Sequence, residues 1–367
     1  MRILFTRFPL ESRYGGAEVQ TLSLMQGLRS RGHAVAFLGS CPTLLDLCRK
    51  EGLPAAELSI GVPPVTKWGV ALFFLRKKQM ERKLAAALAE LSDLKAICML
   101  SLSEKLLLTP LARAHGIRIL WIEHDGVGRW LTKNPWLPRL RELSQDVTTV
   151  VVSDLSRDLY LALGWDPAHV VSIPNGIDAE RLVPTPYALS PTPQRTNLRL
   201  GCIARLTEDK GVDVLIDAVS DLPEVTLTIV GRGREEGYLH KIVFERRLSD
   251  RVSFVQDIPD IGTFYRSLDL FVLPSRTHDP FGLAAAEAML LGIPAIVTDA
   301  CGIARHVAAG KEALVVRADD AGALRDAIRS LFPREQRLAL GHAGKCAALE
   351  KFTLERMTNA YEALLRG

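Results

Sequence analysis

The stretch PSRTHDPFGLAAAEAMLLGIP, residues 274–294, decides the fold. It follows the continuous apolar run LDLFVL at 268–273, which is typical of a buried parallel strand. A turn containing Gly282 comes next, and the pattern then predicts a helix from Leu283 to about Leu291. This order places the helix N-terminus at the carboxyl edge of a sheet, where free N–H groups and the helix dipole favour a phosphate.

Two acidic residues accompany this predicted helix: Asp279 on the preceding turn and Glu287 in the second helical turn. Glu287 is the only charged residue in LAAAEAMLL, and a helix that is apolar on nearly all sides is usually buried. A buried carboxylate needs hydrogen-bond donors, and sugar hydroxyls would supply them. The alternatives are that Glu287 faces solvent or pairs with an arginine of its own domain.

Several short motifs surround the two acids: Pro274-Ser275, Pro280-Phe281-Gly282, Glu287-Ala288-Met289 and Gly292-Ile293-Pro294. With them the stretch resembles the Glu-x7-Glu signature of retaining glycosyltransferases of family 4. The resemblance implies an α/β chain with the GT-B fold: two facing Rossmann-like domains with parallel sheets, and a C-terminal helix that crosses back to the first domain. Asp279 stands where the family has a Glu, so its carboxylate reaches one methylene less far.

Length and composition are those of a globular protein. The 367 residues suffice for two domains with separate cores, and 48% of them are hydrophobic. The six cysteines show no Cys-x2-Cys pair, which favours buried thiols in a reducing compartment. We expect residues 1–10 to form a first strand rather than a signal peptide, and no run approaches 18 apolar residues. A cytoplasmic location is therefore expected, with peripheral association on the inner face of the membrane as an option.

The net charge of +4 is unevenly distributed. Residues 1–178 hold 22 Lys and Arg against 17 Asp and Glu, whereas the remainder holds 24 against 25. This excess is a mild argument for an anionic partner of the first half. It falls short of the basic stripe that nucleic-acid binding requires, so no nucleic-acid partner is expected.

The first half contains a di-glycine at a position suited to phosphates. Gly15-Gly16 follows the predicted strand 2–6 and precedes the predicted helix 17–29. Glycines there permit a close backbone approach to a diphosphate, although a plain turn would use them equally well. The resemblance implies that Gly15 and Gly16 lie beside the donor phosphates.

His124 follows the predicted strand 117–122 in the sequence Glu-His-Asp-Gly. The carboxyl end of a strand is where doubly wound sheets bind ligands, but a structural histidine would also fit. The resemblance implies that His124 is the active-site histidine, which hydrogen-bonds the donor sugar and stabilises charge at the reacting centre.

Residues 60–83 join an apolar run containing Trp68 and Phe74 to the basic run Arg76-Lys77-Lys78. Aromatic and basic residues at one helix end could rest on an anionic bilayer through residues 67–83. The alternative, which the sequence favours, is a core helix of the first domain with a solvated basic end.

The resemblance also implies the domain limits. Residues 1–182 would form the acceptor-binding domain, and the proline-rich segment 183–197 would be the linker. Residues 198–348 would form the nucleotide-sugar-binding domain, and residues 349–367 the helix that packs on the first domain.

Arg205 and Lys210 lie on the loop between the predicted strand 198–204 and the predicted helix 211–219. Two cations at the end of a strand can hold a diphosphate, although single cations in a loop are usually solvated. The Arg-x4-Lys-Gly spacing matches the family and implies that both bind the donor phosphates. The resemblance implies further donor contacts at residues that this chain shares with the family: Gly231, Phe281, Gly282, Leu283 and Glu287.

The function implied is that of a retaining, hexosyltransferase-type enzyme with His124, Arg205, Lys210 and Asp279 as catalytic residues. It would move a sugar from a nucleoside diphosphate sugar to a glycolipid, polysaccharide or small-molecule acceptor. No cofactor and no metal are expected, since no Asp-x-Asp pair occurs. The alternative is a GT-B sugar-nucleotide epimerase; a catalytically silent membrane-binding relative would lack the paired cations. A nicotinamide oxidoreductase would need a glycine fingerprint, and GRGREEG at 231–237 has three residues rather than two before its last glycine.

Overall fold

The structure is a computed structural model and describes residues 1–10, 15–91, 93–183, 197–258 and 260–367. Two compact units make up this chain: Met1–Gly176 together with Leu354–Gly367, and Ile177–Thr353. Each unit contains one parallel sheet covered by helices, as the alternation of predicted strands and helices indicates.

The first unit is built on the strands β1 Arg2–Arg7, β2 Ala34–Gly39, β3 Ala55–Glu57, β4 Leu94–Met99, β5 Arg118–Glu123, β6 Thr148–Val151 and β7 Val170–Ser172. Among the described residues they form a seven-stranded parallel sheet in the order β3-β2-β1-β4-β5-β6-β7. Helices cover both faces, which is why the central strands are continuous apolar runs. These helices are α1 Gly16–Ser30, α2 Pro42–Lys50, α3 Lys67–Ala89, α4 Leu102–Ala114, α5 Arg129–Thr132, α6 Leu137–Ser144 and α7 Asp154–Ala162.

The second unit has the strands β8 Leu198–Ile203, β9 Val225–Val230, β10 Val252–Val255, β11 Leu270–Leu273, β12 Ala295–Thr298 and β13 Leu314–Val316. Within the described ranges they form a six-stranded parallel sheet in the order β10-β9-β8-β11-β12-β13. Its helices are α8 Val212–Ser220, α9 Glu236–Glu245, α10 Ile261–Arg266, α11 Leu283–Leu290, α12 Ala321–Ser330 and α13 Arg334–Lys351. The loops that leave β8, β9 and β11 share one edge of this sheet, because neighbouring parallel strands end on the same side.

Helix α11 matches the prediction made from residues 274–294 and ends one residue earlier than expected. Its apolar character has the predicted consequence: Ala285, Ala286, Ala288 and Met289 expose none of their surface. Buried alanines on several sides of one helix allow close packing from both the sheet and a neighbouring helix.

The boundary between the two units differs from the expected one. Residues 177–182, expected to end the first domain, belong to the second unit. The Ile177 amide donates to the Phe352 carbonyl at 2.7 Å, and Arg266 Nη2 donates to the Leu182 carbonyl at 3.3 Å. These contacts attach the segment to the second unit. Of the expected linker 183–197, residues 184–196 lie outside the described residues.

The expected single helix 349–367 is interrupted. Helix α13 continues to Lys351, and the last helix, α14, spans Leu354–Arg366. The break arises because the buried Phe352 packs its ring 5.4 Å from the Phe281 ring in the second unit, whereas α14 belongs to the first unit. Met357, Tyr361 and Leu365 of α14 enter the core that α1 also contributes to, which confirms that the C-terminal helix returns to the first domain.

Candidate active site

The side chains of Lys210 and Asp279 form a buried ion pair at the carboxyl edge of the second sheet. Lys210 Nζ lies 2.6 Å from Asp279 Oδ2, and each side chain exposes 12% of its surface. Asp279 also accepts hydrogen bonds from Ser275 Oγ at 3.1 Å and from the Phe281 amide at 3.4 Å. Burial raises the pKa of Asp279, but Lys210 and these hydrogen bonds outweigh it, and the pKa is lower than its ordinary value. Asp279 is therefore a carboxylate at neutral pH.

Two glycines with left-handed backbone conformations shape the loops that carry this pair. Gly211, directly after Lys210, has φ of 60°, and Gly282, at the N-cap of α11, has φ of 96°. A Cβ on Gly211 would lie 2.2 Å from the Pro274 carbonyl oxygen. Only glycine accommodates both the conformation and the close approach. The Lys210 loop can therefore lie directly against the segment that follows β11.

Arg205 has a different environment from Lys210. Its side chain is 69% exposed, and the nearest carboxylate, Asp209, lies 3.9 Å away. Arg205 and Lys210 thus leave the same loop, but only Lys210 contacts Asp279. The exposed guanidinium is free to reorient towards an anion, whereas the ammonium of Lys210 is fixed.

Glu287 is buried on α11 and has partners within its own unit. It exposes 6% of its surface, accepts a hydrogen bond from the Tyr265 hydroxyl at 2.8 Å, and has Arg181 Nη2 at 3.7 Å from its other oxygen. Burial raises the pKa of Glu287 more than Arg181 and Tyr265 lower it. One alternative raised by the sequence, pairing with an arginine of the same unit, is therefore present in the structure.

Three of the remaining predicted donor residues of the second unit, Phe281, Gly282 and Leu283, lie between these acids along the chain, and Gly231 lies in the loop after β9. Phe281 is a core residue with 2% exposure, so its side chain is committed to packing. Leu283 begins α11, and Gly231 directly follows β9, where its amide donates to the Val255 carbonyl at 2.9 Å. Gly231 and Gly282 carry no side chain, so any contact that they make with a ligand is through the backbone.

The predicted residues of the first unit also lie at the carboxyl edge of their sheet. Gly15 is the N-cap of α1 and Gly16 its first residue, directly before the helix dipole's positive end. His124 follows β5 and is partly buried. Burial lowers the pKa of His124 to about 4, and the charge of Arg7 acts in the same direction. The imidazole is therefore neutral at neutral pH and can both donate and accept hydrogen bonds.

Two buried ion pairs at the edge of the first sheet were not predicted. Arg7 Nη2 lies 2.9 Å from Glu18 Oε1, and Lys105 Nζ lies 2.8 Å from Glu123 Oε1, with every side chain below 10% exposure. Each cation or acid stands at the end of a strand or in the first turn of the following helix. In the sequence, these four residues are marked only by that placement. Many solvated loop residues have the same placement, so it does not identify buried ion pairs.

In the second unit the sequence also failed to identify Tyr265 and Arg181, which contact Glu287, and Ser275, which contacts Asp279. Among the described residues, no group of three or more His, Cys, Asp or Glu is arranged to hold a metal ion. No helix within the described ranges is long and apolar enough to span a membrane.

Comparison with known proteins decides the family. The model of glycosyl transferases group 1 matches residues 191–345, and the model of Glycosyltransferase Family 4 matches residues 14–181. The chain belongs to glycosyltransferase family 4. This confirms the family that residues 274–294 resemble.

Curated relatives of this family 4 glycosyltransferase include two mannosyltransferases. The lipopolysaccharide core biosynthesis mannosyltransferase LpsB of Rhizobium meliloti is 32% identical over 57% of this chain and 66% of its own length. The GDP-mannose-dependent alpha-(1-6)-phosphatidylinositol monomannoside mannosyltransferase of Mycolicibacterium smegmatis is 28% identical over 71% of this chain and 73% of its own. The alignments thus span about two thirds to three quarters of these relatives.

Solved structures show the fold. Anabaena Alr3699/HepE in complex with UDP has a TM-score of 0.85 and 20% identity, with both chains covered completely. Sucrose-phosphate synthase from Thermosynechococcus elongatus has a TM-score of 0.82 and 20% identity, covering 100% of this chain and 98% of its own. The predicted GT-B fold, with two Rossmann-like parallel sheets, is confirmed.

Proposed function

We propose that this family 4 glycosyltransferase moves a sugar from a nucleoside diphosphate sugar to an acceptor hydroxyl, with retention at the anomeric carbon. The observation that carries the proposal is the Lys210–Asp279 ion pair beside the N-terminus of α11. Both relatives described above are transferases by name, which favours transfer over the epimerase alternative.

Departure of the diphosphate is the step with the largest charge development, and the second unit offers positive charge for it. Lys210 supplies a fixed ammonium, the exposed Arg205 supplies a planar guanidinium, and α11 supplies the positive end of its dipole. We propose that these groups stabilise the leaving diphosphate without a metal ion. Activity that survives treatment with a chelator is the expected result, and loss of activity that Mg²⁺ or Mn²⁺ restores would contradict it.

Glu287 would accept hydrogen bonds from the ribose hydroxyls. Its carboxylate is held by Tyr265 and Arg181, and each oxygen retains a lone pair for a further donor. Ribose hydroxyls would also satisfy a buried acid whose raised pKa shows that it is incompletely compensated.

In the reaction, the bond between the anomeric carbon and the diphosphate oxygen breaks, and the acceptor oxygen forms its bond on the same face. The acceptor proton passes to the departing phosphate oxygen. Asp279, while holding Lys210, would contact a donor-sugar hydroxyl, and neutral His124 would hydrogen-bond the sugar. Gly15 and Gly16 would let the backbone of the first unit approach the phosphates.

We propose a glycolipid acceptor reached at an anionic membrane surface, and helix α3 supports this. One face of α3 is core, with Phe73 fully buried, while Trp68, Phe74 and Leu75 are 81%, 71% and 83% exposed. The helix also carries Lys67, Arg76, Lys77, Lys78, Arg82 and Lys83. Exposed apolar side chains amid basic ones suit insertion at an anionic lipid interface.

Vesicle sedimentation tests the membrane contact. We expect retention on phosphatidylglycerol vesicles but not on phosphatidylcholine vesicles, and loss of retention when Trp68, Phe74 and Leu75 are all replaced by serine. Phe244→Ser, at a side chain 77% exposed on α9, is the matched control and should bind as the wild type does. A wild-type protein that stays in the supernatant with anionic vesicles would refute the contact.

Release of nucleoside diphosphate from UDP-, GDP- and ADP-sugars, with and without glycolipid acceptor, tests the transfer reaction. We expect release with one donor to depend on acceptor and to be lost in Lys210→Ala. Lys241→Ala, at a lysine 69% exposed on α9, should retain full activity. Conversion of the donor sugar in the absence of acceptor would support the epimerase instead.

A further inference from the structure

Arg276 connects three parts of the second unit through one side chain. Its Nη1 donates to the Glu208 carbonyl at 2.9 Å, its Nη2 to Asp213 Oδ2 at 2.7 Å, and its Nε to Asp319 Oδ1 at 2.7 Å. Glu208 belongs to the loop after β8, Asp213 to the first turn of α8, and Asp319 to the loop after β13. A single guanidinium therefore ties these three parts to the segment that follows β11.

The backbone beside Arg276 holds the same loop. The amides of Arg276 and Thr277 both donate to the Asp209 carbonyl, at 2.9 and 3.3 Å. Asp209 and its neighbour Glu208 directly precede Lys210. The turn that ends in Lys210 is thus docked by backbone and side-chain bonds on the segment that leads to Asp279.

The guanidinium geometry cannot be replaced by an ammonium. Burial lowers the pKa of Arg276, but its hydrogen bonds to Asp319 and Asp213 outweigh this and raise the pKa above its ordinary value. The three hydrogen bonds leave the planar guanidinium of Arg276 in three fixed directions, and the ammonium of a lysine cannot reproduce this geometry. Arg276 is 21% exposed and Asp213 24%, so this pair is better shielded from water than an ordinary surface pair.

We propose that Arg276 is a positioning residue for Lys210. It fixes the 208–210 turn so that the Lys210 ammonium stays at Asp279, where the donor diphosphate would bind. The donor role of Lys210 rests on the proposed function, whereas the positioning itself does not. Arg276 acts through the loop, since three of its N–H groups are already committed to protein acceptors.

A double-mutant cycle tests the connection to donor binding. Dissociation constants of UDP, GDP and ADP are measured for the wild type, Arg276→Ala, Lys210→Ala and the double variant. We expect Arg276→Ala to weaken binding by about tenfold, and this effect to shrink to within about twofold in the Lys210→Ala background. Equal weakening in both backgrounds, or none in the wild-type background, would overturn the proposal.

A second test needs no donor. The folded protein is labelled with limiting acetic anhydride, and acetylation of Lys210 is quantified by mass spectrometry against the exposed Lys241. We expect Arg276→Ala to raise the relative labelling of Lys210 severalfold, because a loosened turn exposes the amine. Arg325→Ala is the matched control, since Arg325 also pairs with two acids in this unit, and should leave the labelling unchanged.

Chemical rescue completes the second test. A pocket of about 480 Å³ opens beside Arg276, so added guanidinium can enter the space that the alanine variant vacates. Added guanidinium should restore protection of Lys210 in Arg276→Ala, and Arg276→Lys should protect it only partly. Unchanged Lys210 labelling in Arg276→Ala refutes the positioning role. A wild-type protein that binds none of the three nucleotides instead refutes the proposed function, and the labelling still decides the role of Arg276.

Discussion

Replacing Lys210 by methionine removes the cation from a buried pair and leaves the Asp279 carboxylate with the hydrogen bonds from Ser275 and the Phe281 amide. Both side chains of the pair are 12% exposed, so solvent cannot replace the ammonium. Breaking a buried ion pair costs about 3–5 kcal/mol, and the two remaining hydrogen bonds favour the lower limit. We expect Lys210→Met to lose about 3 kcal/mol of stability in the second unit.

The loss should depend on pH in a defined direction. In the wild type the folded pKa of Asp279 is lowered, so the pair's contribution is present above about pH 4 and is lost as pH falls through the folded pKa. In Lys210→Met burial dominates and raises that pKa, so the stability of the variant falls as pH rises above about 4. The difference between the two proteins therefore widens towards neutral pH.

Hydrogen exchange measures this loss where it occurs. All five tryptophans lie in the first unit, so their fluorescence does not follow the second. Exchange in peptides covering β8 and β11 should accelerate roughly a hundredfold in Lys210→Met at neutral pH, the equivalent of about 3 kcal/mol. Lys241→Met removes a pair whose side chains are 69% and 59% exposed, and should change stability by less than about 1 kcal/mol. If Lys210→Met matches Lys241→Met at both pH 5 and pH 7, the reasoning about the buried pair is wrong.

Two further predictions concern the other ionisable groups. The raised pKa of Glu287 means that ionisation of this acid destabilises the folded protein at neutral pH. Glu287→Gln removes the charge and still accepts the hydrogen bond from the Tyr265 hydroxyl. This variant should raise the melting temperature by about 2–4 °C for each kcal/mol of destabilisation that is removed. The same variant should raise the KM for the donor, and a lowered melting temperature at neutral pH would contradict the argument. His124, with a pKa of about 4, should contribute no ionisation near pH 6.5 to the pH–rate profile, and His124→Gln should retain more turnover than His124→Ala. An inflection near pH 6.5 that disappears in His124→Gln would show that the imidazole titrates in its ordinary range.

Much of the fold follows from local sequence pattern. The sequence around residue 274 predicts β11 and α11 from an apolar run, a turn and an alanine-rich helix. The prediction succeeds because a strand and a helix that are apolar on nearly all sides must both be buried in the core. The break between α13 and α14 was missed because it depends on a tertiary contact, the burial of Phe352 against Phe281. Periodicity continues through residues 349–365 and gives no sign of it.

The sequence identifies several residues of the candidate site but not the contacts between them. The family spacing indicates Lys210 and Asp279 separately, yet their contact joins loops 69 residues apart in the chain. Tyr265 reaches Glu287 from α10, and Arg276 is one charged loop residue among many. A single sequence does not distinguish such residues from solvated ones, because their partners are set by which strands are neighbours.

Whether Lys210 binds the diphosphate of the donor can be measured by calorimetry. UDP, GDP and ADP are titrated into the wild type, Lys210→Met and Lys241→Met. We expect one nucleotide to bind the wild type and Lys241→Met equally, and to bind Lys210→Met at least about tenfold more weakly, in keeping with the loss of a charged contact. A nucleotide that binds Lys210→Met as tightly as the wild type would contradict this expectation.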